Sequence, residues 1–487
     1  MAATAVICLV LLLGQTVDTV AAQGGAGWDP PVVLSRGIVD DDGQPADGFR
    51  PVVVADDWGQ VHAFWGARTN PDRGVMGNAI YYARWDEQGW SNPRDIIFVD
   101  DANNQHAVPR VAVDAEGWLH LAWLRRGTLR YSRVSVWQAD DVRAWADPVV
   151  VTEGPVPGGD NPAAIVAGAD GGVHVIYLLG SDGSTIAHTS SEDGVSWSDL
   201  TIVASGMGGR LVNASIDHSD RLHVVYHMNT ADGVGVYYTR SEDMGATWSD
   251  PMLVDRHDHR YRGNYAPHYI NVLAFENQVH IAWHGAPRSQ RWHQWSDDGG
   301  VTWREPVQIS PDLVFLTNPP AMAFDGSGVL HLMSVGGGPQ GAEESTAVFH
   351  TAWRGGQWGP LELVCTEADE RVDFGIGGGN DLVAVWDARL EEDRGAEGHM
   401  AILGSSKELL ASPLSLAPQS SPAPTVTPQQ TGAGTPIPTA GGPTRAVSIA
   451  GGGNAQAENG LVTSLSVAAL LAALVVSVVL FLGHPWR

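Results

Sequence analysis

The stretch SEDMGATW at Ser241–Trp248 recurs as SDDGGVTW at Ser296–Trp303, and both follow the pattern Ser-x-Asp-x-Gly-x-Thr-Trp. A near copy at Ser190–Trp197 has Glu192 and Ser196 at the Asp and Thr positions. The pattern suits a β-hairpin: Asp accepts hydrogen bonds from backbone N–H groups, Gly permits a positive φ, the hydroxyls cap the loop and Trp packs onto the sheet. These stretches therefore predict hairpins in a β structure.

Two markers repeat along the chain with a period of about fifty residues, which is typical of a repeat fold. The first is an extended stretch with an Asp-Gly type turn followed by apolar-His-apolar-apolar-aromatic, and its copies are Pro51–Trp65, Pro109–Trp123, Pro162–Tyr177, Leu211–Tyr226, Tyr269–Trp283, Pro320–Ser334 and the weaker Val372–Trp386. The second is a Trp that opens a short extended segment, and its copies are Trp28, Trp90, Trp145, Trp197, Trp248, Trp303 and Trp358.

Each repeat contains alternating apolar segments separated by Gly, Asp and Asn turns, which indicates antiparallel strands. Four strands per fifty residues make one blade, so the two sets of markers predict an all-β, seven-bladed β-propeller of four-stranded antiparallel blades. Trp28 precedes every inner strand pair, and no Trp segment follows the last pair. We therefore expect the strand Trp28–Leu34 to complete the final blade and close the ring.

The hairpin pattern resembles the Asp-box (BNR repeat) of sialidase-like β-propellers, and the resemblance covers most of the body of the chain. Because that family has six blades, a six-bladed ring is the alternative fold. The resemblance places the box at the outer hairpins, far from the central site, and so implies a structural role for Ser241, Asp243, Gly245, Trp248, Ser296, Asp298, Gly300 and Trp303.

Composition narrows the function. The 55 acidic and 28 basic residues leave a net charge of −27, which repels phosphate backbones and argues against nucleic-acid partners. Lys407 is the only lysine, which argues against Schiff-base and P-loop-lysine chemistry. No cofactor is predicted, and no metal site.

Both ends of the chain have the composition of targeting and membrane segments. Residues 1–22 are predicted to be a signal peptide, and the uncharged, apolar residues 461–483 a transmembrane helix, since 23 residues of helix span about 34 Å. Residues 412–460, rich in Pro, Ser, Thr and Gly, are predicted to be a disordered stalk, and residues 484–487 a cytoplasmic tail. The body, residues 27–411, is then extracellular on a single-pass anchor in the cell membrane.

Chemistry in a propeller belongs at the central mouth, where loops of several blades converge. Arg50-Pro51 and the loop from Arg68 to Asp72 resemble the first blade of sialidases. That resemblance implies carboxylate recognition by Arg50, contact by Arg68 and proton donation by Asp72 as acid/base. Sialidases also use a Tyr nucleophile late in the chain, and no Tyr follows Tyr269 here. Whether the chain is an enzyme stays open.

A second candidate is the loop from Asp255 to Tyr265. Its Arg260, Arg262 and Tyr265 suit an acidic sugar, by forked hydrogen bonds and stacking. A solvated loop between blades is the plain alternative, and metal binding by its two histidines is a third.

Six histidines occupy the same place in six repeats: His62, His120, His174, His223, His280 and His331. Identical placement predicts a repeated structural bond to the preceding turn, not a ring of metal ligands. The sequence thus favours a surface propeller that recognises carbohydrate or another surface ligand. The alternatives are an exo-acting glycoside hydrolase with Asp72 as its acid and a protein-binding scaffold.

Overall fold

The structure is a computed structural model. It describes residues 25–70, 77–99, 108–152, 154–158, 161–169, 171–256, 268–285, 290–309, 314–315, 319–337, 346–390 and 398–417. Within these residues the chain forms seven antiparallel sheets that follow one another in sequence. The all-β, seven-bladed ring predicted from the sequence is confirmed, and the six-bladed alternative is wrong.

Each sheet is one blade with an inner, second, third and outer strand. Blade 1 consists of Asp47–Ala55, Val61–Arg68, Ala79–Asp86 and an outer strand split into Gly89–Trp90 and Arg94–Phe98. Blade 2 consists of Arg110–Val113, Trp118–Arg125, Thr128–Ser135 and Val149–Thr152, with 3-10 helices at Val136–Gln138 and Val142–Ala144. Blade 3 consists of Ala163–Ala167, Val173–Leu179, Thr185–Ser191 and Thr201–Ser205.

The later blades repeat this order. Blade 4 consists of Met207–Ile216, Leu222–Thr230, Gly233–Ser241 and Met252–Arg256. Blade 5 consists of His268–Phe275, Gln278–Gly285, Gln290–Ser296 and Val307–Gln308. Blade 6 consists of Val314–Phe315 and Ala321–Phe324, Leu330–Gly337, Ala347–Arg354, and Gln357–Trp358 and Glu362–Cys365. Blade 7 consists of Val372–Gly377, Asp381–Leu390, His399–Glu408 and the N-terminal Val32–Val33.

The N-terminal segment closes the ring. Val32 and Val33 pair with the strand His399–Glu408, and Asp29 N–H donates to the Ser406 carbonyl at 2.9 Å. The predicted closure is thus confirmed, with this third strand as the direct partner and not the strand that ends at Trp386. The inner strands of blades 1 and 7 are also in contact. A closed ring leaves no blade without a neighbour, which removes the exposed faces of an open array.

Apolar clusters fill the spaces between blades and hold the ring together. Trp65 of blade 1 packs with Val385 and Ile402 of blade 7, all of them fully buried. Strand residues alternate between the two faces of a blade, so every blade contributes to two clusters. Packing between sheets therefore stabilises a chain whose one described cysteine, Cys365, is free and buried.

The six repeated histidines are buried and hydrogen-bonded. Four of them place Nε2 against the carboxylate of the preceding turn: His62 with Asp56 at 3.1 Å, His120 with Asp114 at 3.1 Å, His223 with Asp217 at 3.2 Å and His331 with Asp325 at 3.1 Å. In each of the six blades Nδ1 meets a Tyr hydroxyl or a second His on the third strand. The expected structural bond to the turn is confirmed in these four blades.

The two Asp-boxes hold their hairpins in the same way. In the first, Asp243 accepts hydrogen bonds from Ser241 Oγ at 2.8 Å and from the N–H of Thr247 at 2.8 Å, while Ser241 Oγ accepts from Gly245 N–H. Asp298 and Ser296 repeat this pattern, with Gly300 N–H as donor. The tryptophans then pack inward: Trp248 meets His188 edge to face, and Trp303 meets Tyr238.

The ring has two different ends. Because neighbouring strands in a blade run antiparallel, the inner-to-second turns and the Asp-box turns share one end, which we call the turn end. The starts of the inner and third strands share the other, which we call the mouth end. The segment 409–417 runs along the turn end, where Leu414 N–H donates to the Gly378 carbonyl and Ala417 N–H to the Asp57 carbonyl. The contacts of the body thus extend to Ala417, although composition assigns residues from 412 onward to the stalk.

Candidate functional site at the mouth end

Near the starts of two inner strands, at the mouth end, a non-glycine residue has a strained backbone. Arg50 and Tyr269 both have φ of 51°. Each lies at a break in strand register near the start of an inner strand, in blades 1 and 5 respectively. Positive φ is unfavourable for long side chains and is maintained only where the surroundings impose it, often at functional sites. These bulges point to the mouth as the functional end of the ring.

Two arginines lie near Tyr269, one from blade 7 and one from its own blade 5. The guanidinium carbon of Arg371 lies 5.9 Å from the centre of the Tyr269 ring, within the range of a cation–π contact. Arg291, at the start of the third strand of blade 5, is completely buried and donates from Nε to Ser334 Oγ at 3.1 Å. Burial, and secondarily the positive charge of Arg371, lowers the pKa of Arg291 to about 9. The mouth thus concentrates positive charge that water does not fully solvate.

Asp387 connects the arginines of the first and last blades. Its carboxylate accepts the N–H of Arg50 at 3.3 Å through one oxygen, and those of Glu370 at 2.9 Å and Arg371 at 2.7 Å through the other. Only 2% of its surface is exposed. Loss of hydration raises the pKa of Asp387 to about 6, against the opposing effect of these three amides.

Asp373 lies one strand away. It accepts the N–H of Val53 from blade 1 at 2.8 Å. Because protein surrounds its carboxyl group, the pKa of Asp373 rises to about 7, although the positive charges of Arg110 and Arg371 oppose that rise. The charges of arginines from blades 2 and 7 thus act on the same buried carboxyl group.

A small, mainly apolar pocket adjoins Arg110 between blades 2 and 3. Its walls include Val108, Trp123, Leu129 and Pro162. Arg110 itself donates from Nε to the Ala163 carbonyl at 3.0 Å, which holds the guanidinium against the rim. The pocket therefore offers an apolar surface next to a positive charge.

The mouth end contains arginines from four blades, a strained tyrosine and an apolar pocket. Arg110 and Arg371 are partly exposed, whereas Arg50 and Arg291 are buried. Arg50 comes from blade 1, Arg110 from blade 2, Arg291 from blade 5 and Arg371 from the start of blade 7. Guanidinium groups match the planar geometry of carboxylates and sulfates, and a tyrosine ring packs against a sugar face. The arrangement suits an anionic, partly apolar ligand such as an acidic saccharide.

The residues predicted as site residues have different locations. Arg50 lies in this cluster, with its own side chain largely buried. Arg68 forms an ion pair with Asp47, whose other oxygen accepts the N–H of Met400 at 2.9 Å, so it lies where blades 1 and 7 meet. Predicted residues outside the described part of the chain are Asp72, Arg260, Arg262 and Tyr265.

Sequence reasoning did not single out four residues of the cluster, Arg291, Arg371, Asp373 and Asp387. Arg371, Asp373 and Asp387 lie within one repeat, but Arg50, Arg110 and Arg291 lie far from them in the chain, and no short motif connects the two groups. One usable signal is an arginine just before or at the start of an inner strand, at Arg110 and Arg371. Among the described residues, no cluster of three or more His, Cys, Asp or Glu side chains has metal-site geometry.

A closed ring of four-stranded blades with Asp-boxes on its outer hairpins defines the class of sialidase-like β-propellers. A family model described as BNR repeat-like domain matches residues 59–332, more than half of the 487 residues. The chain therefore belongs to the BNR repeat-like family. No curated protein matches it.

Several solved structures are similar to the chain. A protein of unknown function from Dyadobacter fermentans is 11% identical over 79% of this chain and 100% of its own, with a TM-score of 0.46. The Hadza microbial sialidase Hz136 is 14% identical over 76% of this chain and 67% of its own, with a TM-score of 0.41. The NanB sialidase from Streptococcus pneumoniae is 11% identical over 77% and 71%, with a TM-score of 0.44.

Proposed function

We propose that the chain is a membrane-anchored, extracellular propeller whose mouth recognises the anionic groups of a carbohydrate ligand. The observation that carries this proposal is the contact of Arg371 of blade 7 with the strained Tyr269 of blade 5. Arginines of blades 1, 2 and 5 lie at the same end of the ring. The chain has a net charge of −27, so a local concentration of arginines is unusual for it, and binding of an anionic ligand would explain that concentration.

The test is a glycan array that carries sialylated, uronic, sulfated and neutral oligosaccharides, probed with the full chain in detergent. Acidic glycans are expected to be retained and neutral ones not, with Arg371→Ala reducing retention at least about tenfold. Arg304→Ala is the matched control, because Arg304 is an exposed arginine on an Asp-box turn at the other end of the ring. Retention of no glycan would favour the protein-binding scaffold instead.

An exo-acting glycoside hydrolase is the second candidate. It is favoured by Tyr269 beside Arg291 and Arg371, because resemblance to sialidases makes a tyrosine the expected nucleophile and Asp72 the expected acid/base. The assay is release of a fluorescent aglycone from sialosides by the full chain, by Asp72→Ala and by Tyr269→Phe. Equal rates for the three proteins, or no release, would remove this candidate.

The anchoring part of the proposal rests on the sequence of the two ends. Within the described residues no helix is long and apolar enough to cross a membrane, and the predicted span 461–483 lies outside them. A chain cut before Leu461 is expected in the medium when it is expressed with its leader, whereas the full chain stays with the membrane fraction. Retention of the shortened chain in that fraction would contradict the anchor.

A further inference from the structure

The inner-strand contacts between the first and last blades differ from those at four of the other interfaces. At four other interfaces an inner-strand side chain donates to a carbonyl of the next blade, in the pairs Arg110 to Ala163, Asn161 to Val212, Asn213 to Ile270 and Asn271 to Pro320. Between blades 7 and 1, carboxylates accept backbone N–H groups instead. We call this interface the closure seam, and its carboxylates are Asp47, Asp373 and Asp387.

Asp387 differs from the other two carboxylates of the seam. Asp373 and Asp47 each reach across to one backbone amide, of Val53 and of Met400 respectively. Asp387 bonds amides on both sides of the seam, and two of these amides belong to arginines of the site, Arg50 and Arg371. All three of its partners are N–H donors, so a group without hydrogens of its own is required there.

The backbone of Arg50 makes this contact consequential. A backbone φ of 51° in a residue with a long side chain persists only when neighbouring contacts impose it. The Arg50 amide is the one that Asp387 accepts, and the same carboxylate orients the segment that carries Arg371 toward Tyr269. The positions of the Arg50 and Arg371 guanidinium groups thus depend on the buried Asp387 side chain, which binds the backbone of both arginines.

We propose that Asp387 is the positioning residue of the anion site: by binding the backbone of Arg50 and Arg371 across the closure seam, it sets the spacing of their guanidinium groups. The site is then assembled when blade 7 packs against blade 1 and closes the ring. This inference rests on the proposed function, and it adds how the anion-binding geometry is made.

The test compares Asp387→Asn with Asp373→Asn, a matched variant at the same seam that holds no arginine amide. Without ligand, amide hydrogen exchange by mass spectrometry is expected to be at least about tenfold faster at Arg50 and Arg371 in Asp387→Asn, and unchanged there in Asp373→Asn. Unchanged exchange at both arginines in Asp387→Asn would overturn the inference, whatever ligand the protein binds.

The second arm measures binding of D-glucuronate and of N-acetylneuraminate to the full chain by calorimetry. Asp387→Asn is expected to weaken binding at least about tenfold and Asp373→Asn less than about threefold. In an Arg371→Ala background the effect of Asp387→Asn is expected to shrink, because the residue acts through that arginine. An undiminished effect there, or equal losses in the two seam variants, would mean a merely structural role.

The two arms separate this inference from the proposed function. Wild-type protein that binds neither sugar, but shows the expected exchange pattern, would overturn the proposed function and leave Asp387 as a backbone clamp only. If Asp387→Asn does not fold, Asp387→Ser keeps one hydroxyl acceptor at the same place and is read by the same two measurements.

Discussion

The repeated histidines make a quantitative prediction about stability. In blade 6, Nε2 of His331 meets Oδ2 of Asp325 at 3.1 Å, and Nδ1 meets Nε2 of His350 at 2.9 Å. The Asp325 side chain is 2% exposed, and its other oxygen caps the turn through the N–H groups of Ser327 and Val329. His331→Phe keeps a ring of similar size and removes both bonds, so it leaves a buried carboxylate oxygen without its imidazole partner.

The expected cost follows from burial. Because burial lowers the pKa of His331 to about 4, its imidazole is neutral at pH 7.5 and binds the carboxylate by a hydrogen bond. Losing that donor costs about 3 kcal/mol or more, because the group left without its partner is a buried charge. In blade 4 the corresponding carboxylate has a second partner: Asp217 Oδ2 also accepts from Arg221 Nε at 2.7 Å. His223→Phe leaves that bond intact and deprives mainly the Tyr238 hydroxyl, a loss of about 1–3 kcal/mol.

His331→Phe and His223→Phe are therefore matched variants. They differ in that Asp217 keeps Arg221 as a side-chain partner of Oδ2, whereas Oδ2 of Asp325 loses its imidazole partner. Urea unfolding of both, followed by tryptophan fluorescence at pH 7.5, should show His331→Phe as the less stable by roughly 2 kcal/mol. If His223→Phe is equally or more destabilising, the argument from the carboxylate's second partner is wrong.

Three further predictions concern pH and the ends of the body. Burial lowers the pKa of His331 from 6.5 to about 4, so the folded protein binds fewer protons at this residue than the unfolded chain does. The stabilisation by His331 is therefore complete above pH 6.5 and is lost as the pH falls to 4. In urea titrations over that range, the difference in unfolding free energy between wild type and His331→Phe should narrow by about 3 kcal/mol. Burial raises the pKa of Asp373 from 3.8 to about 7, so its contribution to stability is lost as the pH rises through 7. The unfolding free energy of the wild type should therefore fall by at most about 4 kcal/mol between pH 4 and 8, and Asp373→Asn should remove this fall. An equal fall in both proteins would contradict the raised pKa of Asp373. A body that ends at Leu409 should be less stable than one that ends at Ala417 by about 1–3 kcal/mol in thermal unfolding, because it lacks the hydrogen bonds to the turn end, and equal midpoints would show that these bonds contribute nothing.

Site residues could be predicted only where a sequence pattern within one repeat marks them. Arg50 was found because it adjoins a proline at the start of a blade, and the repeated histidines were assigned correctly because the same place recurs in six blades. Arg291 and Asp387 carry no such signal. Their importance comes from burial and from partners in other blades, which no spacing along the chain expresses.

The repeat could be predicted from the sequence alone, including the strand periodicity, the Asp-box hairpins, the count of blades and closure by the N-terminal segment. These follow from local physics, because strand alternation, turn residues and a recurring Trp act within one blade. Which side chains meet at the mouth end, by contrast, depends on the three-dimensional packing of the blades. Ring closure brings residues more than three hundred positions apart, such as Arg50 and Asp387, into hydrogen-bond contact, and it does so through the packing of whole blades against each other.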